Sequence, residues 1–212
     1  GNGDYVVENT SVSRTEINTN AGKIESITLR LKTREGLFYY DDIDPSFVTY
    51  KMIPENSYTL SLFQVQKKGS NFGEYLINLV GEKATYANSF SIQLFVKDTQ
   101  GVNKALPAIK FAVTPRIPPN ADKTLVVSKP SDIINARSEI KIAFKLFDDY
   151  GNVYTNNSDV LKFIYLTNNN IKVDVKSLLN VDGTTYELSF ISTYPPRTGK
   201  INIFYNDNIN QI

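Results

Sequence analysis

Residues 20–36 and 135–151 carry one pattern in one length, 115 positions apart. Asn20-Ala21 and Asn135-Ala136 each precede an alternating apolar run, and Gly36 and Gly151 each follow it. Within the run, Ile27, Leu29 and Leu31 fall on Ile142, Phe144 and Leu146 without a gap. A second echo lies downstream, where Gly73-Glu74-Tyr75-Leu76-Ile77-Asn78-Leu79 matches Gly183-Thr184-Thr185-Tyr186-Glu187-Leu188-Ser189-Phe190. Self-similarity at a spacing near the size of a small domain means two tandem copies of one fold. The 212 residues leave room for two domains of about 100 residues, each with a modest core.

Composition removes several classes of function. Twenty-three basic residues stand against twenty-two acidic ones, without a basic patch or an acidic tail, so electrostatic capture of nucleic acid is not expected. The chain contains neither Cys nor His. Disulfides, thiolate metal sites and cysteine nucleophiles are therefore excluded, and so are the usual general base and the commonest metal ligand. No apolar run reaches the roughly 18 residues that a membrane-spanning helix needs. Gly1 in place of Met, and the Gln211-Ile212 end, are expected of a segment taken from a longer protein.

Period two dominates the pattern. Ile27, Leu29 and Leu31 alternate with Thr28, Arg30 and Lys32, as in a half-buried antiparallel strand. Further strands are expected at residues 5–7, 47–53, 57–65, 73–80, 90–96 and 108–113. In the second copy they are expected at 125–127, 160–166, 171–175, 186–191 and 200–205. Turn signals such as Lys68-Gly69-Ser70-Asn71, Asp98-Thr99-Gln100-Gly101 and Asp182-Gly183 separate them. About seven short strands per copy is the count of an immunoglobulin-like sandwich. The predicted fold class is all-β, with two antiparallel sandwiches in tandem. Residues 1–115 form the first domain and 121–212 the second. The prolines of Pro115-Arg116-Ile117-Pro118-Pro119 make residues 116–120 a semi-rigid connector.

The second copy resembles the filamin-type immunoglobulin-like repeat. The likeness rests on Phe147-Asp148-Asp149-Tyr150-Gly151-Asn152, then Asp182-Gly183-Thr184-Thr185-Tyr186-Glu187-Leu188-Ser189-Phe190, then Gly199-Lys200-Ile201-Asn202-Ile203. The first copy matches less fully, since Thr33-Arg34-Glu35-Gly36 has lost the Asp and the Asn. Its closing Ala105 to Val113 is similar to the family's last strand. Similar turns occur in bacterial invasin-like tandem repeats, a weaker match. Tyr75 and Tyr186 resemble the tyrosine that closes a sandwich corner through its hydroxyl. Aligned on this pattern, the second domain is expected to lack its final strand within residues 206–212.

Few residues promise chemistry. Asp41, Asp42 and Asp44 lack both the spacing and the Gly of a calcium loop, and Asp44-Pro45 is expected to start a turn. Asp148-Asp149 is expected to cap a turn rather than serve as an acid and base pair. Lys67-Lys68-Gly69-Ser70 reads as a hairpin tip, and Thr193 to Thr198 as a rigid proline loop. Neither catalytic residue, metal nor cofactor is expected. Phe38, Tyr39 and Tyr40 form the candidate binding loop, either exposed for a protein partner or packed under the sandwich end. Sequons make Asn9 and Asn156 candidate glycosylation sites.

These readings imply a non-catalytic structural and protein-binding module of a larger protein. Partners would dock on loops or add a strand to an exposed sheet edge, and self-association is compatible with the same edges. The resemblance implies an extracellular adhesion ectodomain, as on gamete surfaces. Its alternative is an intracellular cytoskeletal scaffold associated with actin, and the cell surface is favoured over it.

Overall fold

The computed structural model describes residues 3–130, 138–155, 164–168, 171–191 and 201–205. The second sequon at Asn156, the proline loop at 193–198 and residues 206–212 lie outside them. The chain divides into two compact units, residues 1–114 and 115–212.

In the first unit the strands are β1 (Ser11–Val12), β2 (Glu16–Asn20), β3 (Glu25–Arg30), β4 (Val48–Ile53), β5 (Leu62–Lys67), β6 (Glu74–Val80), β7 (Phe90–Lys97), β8 (Asn103–Ala105) and β9 (Ile109–Thr114). One sheet has the order β1-β3-β6-β5, and the other has β2-β9-β7-β4 with β8 also on β7. Alternation does what period two requires. Ile27 and Leu29 of β3, Ile77 and Leu79 of β6, and Ile92, Leu94 and Val96 of β7 form one buried cluster with Phe111 and Val113 of β9. The core thus draws on both sheets. β2 pairs parallel with β9, from Glu16 opposite Lys110 to Asn20 opposite Thr114.

The second unit contains β10 (Leu125–Ser128), β11 (Glu139–Lys145), β12 (Ile164–Asn168), β13 (Ile171–Val173), β14 (Ser177–Asn180), β15 (Tyr186–Ile191) and β16 (Ile201–Tyr205). Its first sheet, β10-β11-β15-β14, repeats the order of β1-β3-β6-β5. Its second is β13-β12-β16, and among the described residues β16 pairs with β12 alone. Ile142 and Phe144 of β11 pack with Leu188 and Phe190 of β15 and Leu166 of β12. Both units are therefore sandwiches of immunoglobulin-like type, antiparallel but for the β2–β9 pair.

The repeat holds at the level of single hydrogen bonds. Gly36 and Gly151 both have φ of +80°, a conformation that costs glycine alone nothing. Isolated bridges join Lys32 to Phe38 and Phe147 to Val153, again 115 positions apart. Thr33 N–H donates to the Leu37 carbonyl at 2.8 Å, and Asp148 N–H to the Asn152 carbonyl at 3.0 Å. Each turn is also capped from its first side chain: Leu37 N–H donates to Thr33 Oγ1 at 3.3 Å, and Asn152 N–H to Asp148 Oδ1 at 2.9 Å.

Asp148 does more than its counterpart. It is wholly buried and accepts from the amides of Tyr150 at 2.9 Å and Arg116 at 2.8 Å, and from Asn152 Nδ2 at 2.9 Å. The Arg116 carbonyl accepts from the Tyr154 hydroxyl, and Asn120 N–H donates to the Phe147 carbonyl at 2.8 Å. The proline-rich residues 116–120 are thus fastened to the second unit, because a buried carboxylate needs donors and their backbone supplies one.

Asp148→Ala is expected to destabilise the second unit by about 3 kcal/mol, since it strands buried N–H donors of a charge-assisted network. Thr33→Ala, at the matching turn of the first unit, removes one longer bond and is expected to cost about 1 kcal/mol. Urea unfolding of the two variants measures the difference.

Candidate functional site

The loop between β3 and β4 and the hairpin tip between β5 and β6 meet at one end of the first unit. Tyr75, at the head of β6, is 1% exposed, and its hydroxyl donates to the Ile43 carbonyl at 2.9 Å and accepts from Ile43 N–H at 2.7 Å. Burial pushes its phenol above the ordinary tyrosine value. Tyr186 makes the matching closure in the second unit by donating to the Thr155 carbonyl at 3.0 Å.

Three further contacts hold loop against hairpin. Lys67 Nζ and Asp42 Oδ2 form an ion pair at 2.9 Å, and Gly73 N–H donates to Asp42 Oδ1 at 3.2 Å. The Gly73 carbonyl accepts from Leu31 N–H at 2.9 Å. Gly73 has φ of +67°, and a Cβ there would overlap the Tyr39 carbonyl, so only glycine admits this approach.

On this frame the aromatic triplet splits. Tyr39 turns inward and meets the ring of Tyr5 edge-on at 5.2 Å between centroids. Phe38 and Tyr40 turn outward, 51% and 59% exposed. A third ring, Phe72 from the hairpin tip, joins them at 49% exposed. The guanidinium of Arg30 lies 4.2 Å from the Phe38 ring centre and donates to the Phe72 carbonyl, while Lys67 Nζ lies 4.5 Å from the Phe72 ring centre. Phe38, Tyr40 and Phe72 line one shallow cavity with Arg30 and Lys32. Sequence reasoning marked Phe38 and Tyr40 and passed over Phe72, Arg30 and Lys32. The available signal was a Phe set among Lys, Gly, Ser and Asn in a turn, where no strand alternation calls for an apolar residue.

The remaining candidates have structural employment. Asp44 Oδ1 accepts from Ser46 N–H at 2.9 Å and caps a short 3-10 turn, and Asp41 Oδ1 accepts from Asp42 N–H at 2.8 Å. Among the described residues no three acidic side chains converge as a metal site would require. Lys68 sits at the hairpin tip with its Nζ 3.2 Å from Glu74 Oε1. Asn9 gives both hydrogens of its amide nitrogen to the chain, to the Thr33 carbonyl at 2.9 Å and the Arg34 carbonyl at 3.0 Å. A glycan on that nitrogen would replace one of them.

Gly73→Ala is expected to destabilise the first unit by at least about 2 kcal/mol through backbone overlap at a positive φ. Nuclear magnetic resonance shifts of residues 38–42 should report the displaced loop. The hydrogen bond from Lys67, reinforced by Gly73 N–H, holds the Asp42 carboxyl below the usual value. Its contribution is complete above the unfolded aspartate value of about 4 and is lost as the pH falls below it. Acid titration of stability should therefore be shallower in Asp42→Asn than in the parent chain.

No family model matches the sequence, and no curated protein matches it. Solved structures do. The Escherichia coli adhesin FdeC superposes with a TM-score of 0.63 at 12% identity, over 97% of this chain and 62% of that one. This chain thus spans less than two thirds of that structure. The Yersinia pseudotuberculosis adhesin InvE gives a TM-score of 0.40 at 15% identity, over 96% of this chain and 57% of that one. The D00-D0 domain of intimin gives 0.38 at 12% identity, over 96% of this chain and 95% of that one. At these identities the FdeC likeness shows the fold, tandem immunoglobulin-like sandwiches.

Proposed function

We propose that this chain is a non-catalytic adhesion module of a larger protein and that it binds a protein partner through Phe38, Tyr40 and Phe72. One observation carries the reading: the second copy of the fold does without these rings. β6 sets Tyr75 opposite Leu29, and β15 sets Tyr186 opposite Phe144, so the two copies align by register. At the positions of Phe38, Tyr40 and Phe72 the second copy has Val153, Thr155 and Gly183. The turn survives there with its hydrogen bonds intact, so folding does not require the aromatics. Exposed rings beside an arginine are the composition of an interface centre.

The FdeC likeness supports an adhesive setting, since that protein is an adhesin. The extracellular ectodomain remains the preferred context, including the gamete-surface setting that the filamin resemblance implies. The actin-associated scaffold is its alternative. In the extracellular case Asn156 is the better glycan acceptor, because the Asn9 amide is already committed to two carbonyls.

Treating intact cells that make the protein with trypsin should remove it from a blot against this chain. Full protection, together with co-sedimentation with actin filaments, would replace the adhesive reading with the cytoskeletal one. For the surface itself, beads coated with the chain should adhere to partner-bearing cells. The triple variant Phe38→Ser, Tyr40→Ser, Phe72→Ser should adhere at least about tenfold less, at an unchanged urea midpoint. Equal adhesion would remove the aromatic rim from the interface.

A further inference from the structure

The charges around the aromatic rim narrow the chemistry of its partner. Phe38, Tyr40 and Phe72 wall a cavity of about 690 Å³, with Arg30, Lys32 and Glu74 also in its lining. Glu74 is the one carboxylate of that lining, and it is already shared by Lys68 at 3.2 Å and Arg30 at 3.8 Å. Lys32 differs from its neighbours. It is half-buried, and among the described residues its ammonium makes neither an ion pair nor a side-chain hydrogen bond. Asp42 is engaged by Lys67, and Asp41 and Asp44 do not line the cavity. The lining therefore carries two cations, Arg30 and Lys32, against one carboxylate, which Lys68 from outside the lining also engages.

The rings reinforce the bias. Arg30 already lies against Phe38, and Lys67 against Phe72, so a basic partner would meet like charge at both. A carboxylate placed beside Lys32 would compensate a cation held next to apolar surface. The second copy has no such arrangement, since Phe147 and Thr185 stand at the positions of Lys32 and Glu74.

Resting on the adhesive reading above, we infer that the groove takes an acidic segment of a protein partner. One carboxylate meets the Lys32 ammonium, and an adjoining apolar side chain lies among Phe38, Tyr40 and Phe72. Lysine offers a point charge rather than a fork, so the site selects charge and reach more than carboxylate orientation.

The test titrates the isotope-labelled chain with acetyl-Glu-Leu-Phe-Glu-amide and its serine-flanked and lysine-flanked counterparts, following backbone amide signals. The acidic peptide should move the signals of Lys32, Phe38 and Phe72 and bind about tenfold more tightly than the serine peptide in low salt. The lysine peptide should leave them unmoved. Lys32→Gln should abolish the difference between acidic and serine peptides while keeping the weaker serine binding. Equal binding of acidic and serine peptides, or preference for the lysine peptide, overturns the acidic partner and leaves the aromatic interface standing. Sialyllactose moving these signals while no peptide does would make this an acidic-glycan site and overturn both readings. Silence toward every probe overturns both as well.

Discussion

The hydroxyl of Tyr75 is where the first unit turns a strand register into a shaped surface. It takes both the carbonyl and the amide of Ile43, so the loop leaving β3 must end at one place relative to β6. Satisfying two partly buried backbone groups with one hydroxyl is worth more than its contact area, because either group left alone would carry a desolvation penalty. The Asp42 pair with Lys67 and the approach at Gly73 then bind loop to hairpin. With both ends held, Phe38 and Tyr40 cannot retreat into the core beside Tyr39. The fold itself organises the rim, which would lower the ordering cost of the proposed binding.

Duplication separates what the fold needs from what it merely carries. The two turns share φ, bridge positions and backbone hydrogen bonds 115 residues apart, yet they differ in every solvent-facing side chain of the rim. The second unit uses its turn differently: Asp148 is buried and gathers the Arg116 amide, tying the proline segment down. One backbone device thus serves as an aromatic platform in one copy and as a fastening for the chain's entry in the other.

The strands of the core were legible because burial on one face forces alternation. Ile27, Leu29, Leu31 and their partners at 142, 144 and 146 are all buried, as period two required. β2 and β14 were not legible. Glu16-Ile17-Asn18-Thr19-Asn20 has one apolar residue and becomes a strand by pairing with β9, and Ser177–Asn180 becomes one by pairing with β15. Residues 5–7, expected as a strand, instead lead into a 3-10 turn at Val7–Asn9, with Tyr5 alone bridging Thr33. Strand partners at an edge are chosen by the neighbour that needs hydrogen bonds, which a local pattern does not record.

By itself the amino-acid order determined the repeat, the all-β class and the buried alternation, since each follows from self-similarity or short-range periodicity, and a resemblance to known sandwiches marked the two tyrosines. The order also singled out Phe38 and Tyr40 as candidates. Only the tertiary structure decided that Tyr39 packs inward, that Phe72 joins from 32 positions beyond Tyr40, and that Lys32, unpaired among the described residues, lies beside them. Those facts depend on which loops a sandwich brings to the same end, and chain proximity carries no record of that.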